Sequence, residues 1–111
     1  LAAAYANGLA GCSIATAPHC RADSEHAYHL YVVRSEQRDR LMQHLLARGV
    51  PAALHYPAAI HQQSGYSHIT KQSPALPQTE AVMKRILTLP LHPYMSEQAV
   101  QAVCEVISEV V

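Results

Sequence analysis

The sequence predicts an α+β domain in which helices cover one face of a small three-stranded sheet. Three observations carry this prediction. Apolar residues recur at helical spacing in three stretches, short segments rich in aromatic and β-branched residues lie between them, and glycine or proline separates the segments. The length of 111 residues is typical of one domain, so we expect residues 1–111 to form a single small unit.

The first half of the chain is predicted to contain two helices and a strand. Segment 1–9 has apolar residues four apart, which predicts a helix that stops at Gly11. Residues 27–34 are dense in aromatic and β-branched side chains and predict a strand. Both faces of that strand are apolar, so we place it at the centre of the sheet. Ser35 can cap a second helix, and Gly49 can end it.

The second half is predicted to supply two more strands and two more helices. Residues 50–57 are bounded by prolines and read as a short strand that runs into a turn. Residues 58–76 are polar and irregular, and such a long excursion is typical of a functional or interface segment. A short helix over 77–85 then leads into a strand over 86–90, and Ser96 is expected to cap the final helix.

Composition excludes several classes of function. Eight basic and eight acidic side chains cancel, and charged residues make up only 14% of the chain, so it lacks the positive charge that binds nucleic acid. No apolar run approaches the roughly 20 residues of a membrane span. Three cysteines without paired spacing indicate reduced thiols in a cytoplasmic protein. The first residue is Leu rather than Met, which predicts that the sequence is part of a longer one.

The supply of eight histidines does not by itself predict a metal site. On the predicted strand His26 and His29 are three residues apart, which sends their side chains to opposite faces. No Cys/His pairing typical of a metal site is present, so we expect no bound metal. Lys71 and Lys84 have no neighbours that would activate an amine for covalent catalysis.

The candidate site is the segment that begins at His55. His55, Tyr56 and His61 place two imidazoles and a phenol where a predicted strand enters an irregular loop, and pockets commonly form at such strand ends. These groups can donate hydrogen bonds to sugar or phosphate oxygens at neutral pH. The alternative is a capped strand end whose His and Tyr side chains are satisfied by local backbone, and the residues alone leave both interpretations open.

Several segments in order and spacing resemble a known family. They are HAYHLYVVR, RDRLMQHLLARGV, HYPAAIH, LPQTEAVMKRILTLPLHP and MSEQAVQAVCEVISEVV. In this combination they are similar to the C-terminal segment of the DegT/DnrJ/EryC1/StrS family of pyridoxal-phosphate-dependent sugar aminotransferases, and the resemblance covers nearly the whole chain. Ala59 stands where the family motif usually has a second Pro, and Thr88 replaces the commoner Ser.

The resemblance implies the small C-terminal α+β domain of a fold-type I aminotransferase, a cytoplasmic enzyme of polysaccharide biosynthesis that is usually a homodimer. It implies that His55, Tyr56 and His61 face the cleft between domains, near a nucleotide-sugar substrate. His29 and Tyr31 are expected to be structural.

In the family, the lysine that binds the cofactor and the phosphate-binding residues belong to the large domain, and nothing in this chain matches them. We therefore expect no cofactor in this chain and no transamination by it alone. Two further hypotheses stay open. One is a stand-alone module that self-associates through the face left uncovered, and the other, ranked last, is a small histidine-rich metal binder.

Overall fold

Two antiparallel strands, β1 (Tyr31–Arg34) and β2 (Ile86–Leu89), form the centre of the computed structural model, which describes residues 1–66, 68 and 75–110. The register places Val33 opposite Leu87. Because side chains alternate along a strand, one face of the pair carries only apolar groups that are fully buried. These groups are Tyr31, Val33, Leu87 and Leu89.

The sheet has two strands where the sequence predicted three. The predicted strand over 50–57 contributes one bridge, in which Ala53 exchanges two backbone hydrogen bonds with Thr88, of 2.9 and 3.2 Å. Pro51 and Pro57 flank this bridge and have no N–H to extend the ladder, which explains why pairing stops there. On the other side of the pair, Thr16 bridges Arg34 in the same way. β1 therefore lies at the centre, as predicted.

Four α-helices occur in the described ranges, together with two short 3₁₀ turns, and each helix predicted from the sequence is found. The α-helices are α1 (Ala2–Gly8), α2 (Arg38–Ala47), α3 (Pro77–Met83) and α4 (Glu97–Ser108), and the 3₁₀ turns are Ile60–Gln62 and Ser64–Tyr66. None of the helices among these residues is long and apolar enough to cross a membrane. Part of the predicted excursion over 58–76, namely 67 and 69–74, lies outside the described residues.

The helix ends show which predicted caps act. The Ser96 side chain accepts a hydrogen bond from the Ala99 N–H at 3.1 Å, which confirms it as the cap of α4. Ser35 lies further from its helix than predicted, because α2 begins at Arg38, and its hydroxyl accepts instead from the Gln37 N–H at 3.1 Å. Gly49 has φ of +75°, a conformation that suits glycine at the end of a helix.

β1 is shorter than predicted at its beginning. Tyr28 has a left-handed backbone with φ of +49°, and its N–H donates to His26 Nδ1 at 2.8 Å. That backbone donor is therefore unavailable to a sheet ladder, and the chain becomes extended only at Tyr31.

A stack of three tyrosine rings fills one end of the core. The rings of Tyr5 and Tyr31 stack with centroids 4.6 Å apart, and Tyr28 stacks on Tyr31 at 5.9 Å. The Tyr5 hydroxyl donates to the Pro90 carbonyl at 2.8 Å, which ties α1 to the residue after β2. Burial raises the pKa of Tyr5, and it raises the pKa of Tyr31 to about 12, so both phenols stay neutral over the physiological range. Tyr31 is structural, as expected.

Helices α1 and α4 pack closely at Gly8. A Cβ atom placed on Gly8 would lie 2.6 Å from Cys104 Sγ and 3.1 Å from Cys104 Cβ, and Cys104 is buried. The absence of a side chain at Gly8 therefore allows this helix contact. Cys104 acts here as a small apolar residue, and burial raises the pKa of its thiol.

We predict that Gly8→Ala destabilises the chain by about 1–3 kcal/mol, because a methyl group would overlap the Cys104 sulfur. Removing that sulfur should create the space, so Gly8→Ala combined with Cys104→Ala should lose less stability than the two single changes summed. Urea unfolding of the four proteins measures this coupling. Gly65→Ala is the matched control, since nothing lies within 4 Å of its added Cβ. Strict additivity of the two changes would contradict the packing described.

Candidate functional site

A groove of about 520 Å³ lies between the segment 55–66 and helix α3. Its walls are mainly apolar, and a few polar groups are distributed along them. The lining residues are His55, Tyr56, Ala58, Ala59, Ile60, His61, Gln63, Tyr66, Leu76, Thr79 and Met83. The three residues that the sequence singled out, His55, Tyr56 and His61, therefore share one groove.

The orientation of His55 is set by β2. The Ala53–Thr88 bridge brings the chain alongside the strand, and two residues later His55 Nδ1 lies 3.0 Å from Thr88 Oγ1. Thr88 is 7% exposed, so the hydrogen bond is anchored on a buried hydroxyl. The Tyr56 ring meets the His55 ring edge to face, with centroids 5.7 Å apart. The His55–Tyr56 peptide bond is cis.

The orientation of His61 is set by α3. His61 lies in the first 3₁₀ turn, and its Nε2 is 3.1 Å from Glu80 Oε1. The His61 side chain is 18% exposed and that of Glu80 is 38% exposed, so the contact is partly shielded from water. This hydrogen-bond contact joins the two sides of the groove.

The partners of the two imidazoles come from distant parts of the chain. Among the described residues, Thr88 on β2 is the side-chain partner of His55, and Glu80 on α3 is that of His61. Sequence reasoning missed Glu80 as a partner, because it lies 19 residues from His61 and no spacing rule connects them. Thr88 stood in the family motif, but the motif gave no indication of its contact with His55.

The outer rim of the groove is exposed and apolar. Tyr56 is 65% exposed and Ile60 is 73% exposed, while the floor residue Ala59 is buried. Apolar walls with a few placed hydrogen-bonding groups are the usual composition of a small-molecule site. The groove can therefore pack a ring of a ligand and bind its oxygens at the same time.

The polar groups of the groove do not fit a covalently held pyridoxal phosphate. That cofactor is bound through a lysine amine, and none of the described lining residues is a lysine. Lys84 lies exposed just after α3 and does not line the groove, and Lys71 falls outside the described residues. Within the described ranges, no three His, Cys, Asp or Glu side chains lie close enough together to hold a metal ion.

A helix-backed sheet with an apolar groove at its edge defines a small α+β lobe of the kind found in aminotransferases. S. venezuelae DesV has this lobe: its crystal structure matches 97% of this chain with a TM-score of 0.90 and 33% identity. The family model of the DegT/DnrJ/EryC1/StrS aminotransferase family matches residues 1–108, and the chain belongs to this family.

Two of the curated relatives are named for nucleotide-linked sugars. The chain is 34% identical over 109 residues to the dTDP-3-amino-3,4,6-trideoxy-α-D-glucose transaminase of Streptomyces venezuelae, covering 98% of this chain and 29% of that protein. It is 29% identical over 104 residues to the UDP-2-acetamido-2-deoxy-3-oxo-D-glucuronate aminotransferase of Pseudomonas aeruginosa, covering 94% of this chain and 28% of that protein. The chain thus spans less than a third of the length of either relative.

A crystal structure of a family member from Brucella abortus has a similar fold over the same part of the chain. It matches 96% of this chain and 28% of its own length, with a TM-score of 0.84 and 34% identity.

We predict that Thr88→Val releases the His55 ring, because valine keeps the shape of threonine and removes the hydroxyl. Thr88→Ser is the matched control, since it keeps the hydroxyl. Ring nitrogen and carbon NMR signals of His55 should show one fixed orientation in the wild type and in Thr88→Ser, and averaging in Thr88→Val. An unchanged His55 ring in Thr88→Val would show that another contact orients it.

Proposed function

We propose that this chain is the small lobe of a nucleotide-sugar aminotransferase, which transfers an amino group from an amino acid to a keto sugar. In this proposal the lobe supplies substrate contacts, and residues outside 1–111 hold the cofactor. The observation that carries it is the groove in which His55, Tyr56 and His61 come together. Family membership and the sugar substrates in the names of the relatives support the same reaction.

The hydrogen bonding of the two imidazoles supports a role in substrate binding. Each ring uses one nitrogen for its protein partner, Nδ1 of His55 for Thr88 and Nε2 of His61 for Glu80. Within the described ranges the second nitrogen of each ring makes no hydrogen bond, so it is available to a ligand. Two such nitrogens and the Tyr56 hydroxyl can bind the hydroxyl or diphosphate oxygens of a nucleotide sugar.

The apolar residues of the groove support a role in excluding water. The ring of a sugar has apolar C–H faces, which can pack on Ala58, Ile60 and Met83 while its hydroxyls reach the polar groups. Removing water from this surface strengthens the hydrogen bonds made beside it. The groove thus orients a substrate, and when bound elsewhere in the enzyme pyridoxal phosphate supplies the amino-transfer chemistry.

Titration of the isolated chain with dTDP-glucose tests this proposal. We expect saturable amide shifts in NMR spectra at groove residues, with a dissociation constant on the order of 1 mM, because the lobe provides only part of a site. His55→Ala and His61→Ala should each weaken binding several-fold. His92→Ala is the matched control, since His92 is exposed and does not line the groove.

The ligand components serve as further controls for that titration. Free glucose and dTDP should each bind more weakly than dTDP-glucose. Glucose lacks the diphosphate oxygens, and dTDP lacks the sugar hydroxyls. Amide shifts confined to residues outside the groove would refute the substrate role of segment 55–66. Shifts that are unchanged in both histidine variants would refute it as well.

A second candidate function is that of a self-associating module without catalysis. The exposed rim residues Tyr56 and Ile60 favour it, because an apolar surface of this kind tends to be covered by a partner. In this proposal two copies pair through the groove rim and form a homo-oligomer. Light scattering should then give a dimer mass at micromolar concentration, and Ile60→Glu should restore the monomer. The control Leu46→Glu changes an exposed apolar residue on α2, away from the groove. A monomer at all accessible concentrations would exclude this function.

A further inference from the structure

We infer that the chain carries a second ligand site, a hollow at the β1 edge of the sheet that binds a phosphoryl group. The hollow has a volume of about 150 Å³ and is lined by hydroxyl and guanidinium side chains. Its lining residues are Ser13, Ile14, Thr16, Arg34, Ser35, Glu36 and Arg85. This inference does not depend on the proposed function, since the hollow shares no residue with the groove.

The backbone around the hollow is fixed on both sides. The Thr16 N–H donates to the Arg34 carbonyl at 2.8 Å, and the Arg34 N–H donates back to Thr16 at 3.0 Å. The Ser35 N–H donates to the Arg85 carbonyl at 2.9 Å. These bonds join the Thr16 segment, the end of β1 and the residue before β2, so the backbone around the hollow is arranged before a ligand arrives.

The charge of the hollow is positive. Arg85 Nε lies 3.1 Å from Glu36 Oε2, so these two groups form an ion pair. The Arg34 guanidinium makes no hydrogen bond and no ion pair within the part of the chain that the structure describes. Arginine stays charged at all physiological pH values and binds phosphate oxygens through parallel N–H groups. The Arg34 guanidinium is thus available to bind an anionic ligand.

A buried hydroxyl points to the same kind of ligand. Ser35 is 4% exposed and lines the hollow, and its oxygen accepts from the Gln37 N–H at 3.1 Å. Its own O–H proton has no acceptor among the described residues. An oxyanion in the hollow could accept this proton while the Ser35 oxygen keeps its bond to the Gln37 N–H.

The size and donor count favour a phosphoryl group over the other small anions. The hollow has less than a third of the volume of the groove, which fits a small group and not a whole nucleotide sugar. Three hydroxyls and the Arg34 guanidinium offer more donors than the two oxygens of a carboxylate can accept, whereas a phosphoryl group has three terminal oxygens.

Titration with inorganic phosphate, followed by amide NMR at constant ionic strength, tests the site. We expect saturable shifts at Ser13, Thr16 and Ser35, with potassium chloride as the reference salt. Arg34→Met should weaken phosphate binding roughly tenfold, because it removes a charge-assisted hydrogen bond and keeps most of the side-chain length. Arg21→Met is the matched control, since Arg21 is exposed, pairs with Asp23 and does not line the hollow.

A second arm distinguishes free phosphate from a phosphorylated metabolite. Glucose 1-phosphate should produce shifts at the same amides, and glucose should produce none there. Equal binding of phosphate by the wild type and Arg34→Met, or shifts that chloride reproduces, would overturn the site. Binding of glucose 1-phosphate without any binding of phosphate would overturn it as well, because the phosphoryl group would then not be the recognised element.

Discussion

The candidate site depends on the pairing of Ala53 with Thr88 at the outer edge of β2. Leu87 and Leu89 are committed to the core, so alternation along the strand sends the Thr88 side chain to the opposite face. The Thr88 backbone makes two hydrogen bonds to Ala53 along the strand edge, and the Thr88 hydroxyl contacts His55. A one-residue change of register would reverse this arrangement and turn a leucine toward His55. The same burial that stabilises the sheet therefore fixes the position of the groove.

Helix positions could be predicted because they depend on local signals. The cap at Ser96 and the apolar stripes needed no knowledge of the tertiary structure. Sheet pairing was less predictable, because it depends on which backbone donors remain free. Prolines on both sides of Ala53 reduced an expected strand to one bridge, and the His26–Tyr28 hydrogen bond shortened β1. The pairing of Thr16 with Arg34 had no signal in the sequence, since Thr16 lies in a segment of loop composition.

The site was predictable as a cluster and not as a hydrogen-bonded arrangement. His55, Tyr56 and His61 are close in sequence, so their common groove follows from local chain geometry. Their partners come from α3 and β2, separated from them by 19 and 33 residues. Contacts at such separations are set by packing of the helix and strand on the core, and residue spacing in the sequence does not predict them. For the same reason the hollow that contains Ser35 was invisible in the sequence.

The two sites differ in polarity because they lie on different edges of the sheet. At the β2 edge the chain approaches through the segment between Pro51 and Pro57, and apolar residues beyond it pack against α3 to form the groove. At the β1 edge the approaching segment contains Ser13 and Thr16, and it meets two arginines at the ends of the strands. In the proposed roles, removal of apolar surface from water would stabilise a ligand ring at the first edge, and charge would stabilise an anion at the second. One helix-backed sheet can thus serve two kinds of ligand, since its inner face alone supports the fold.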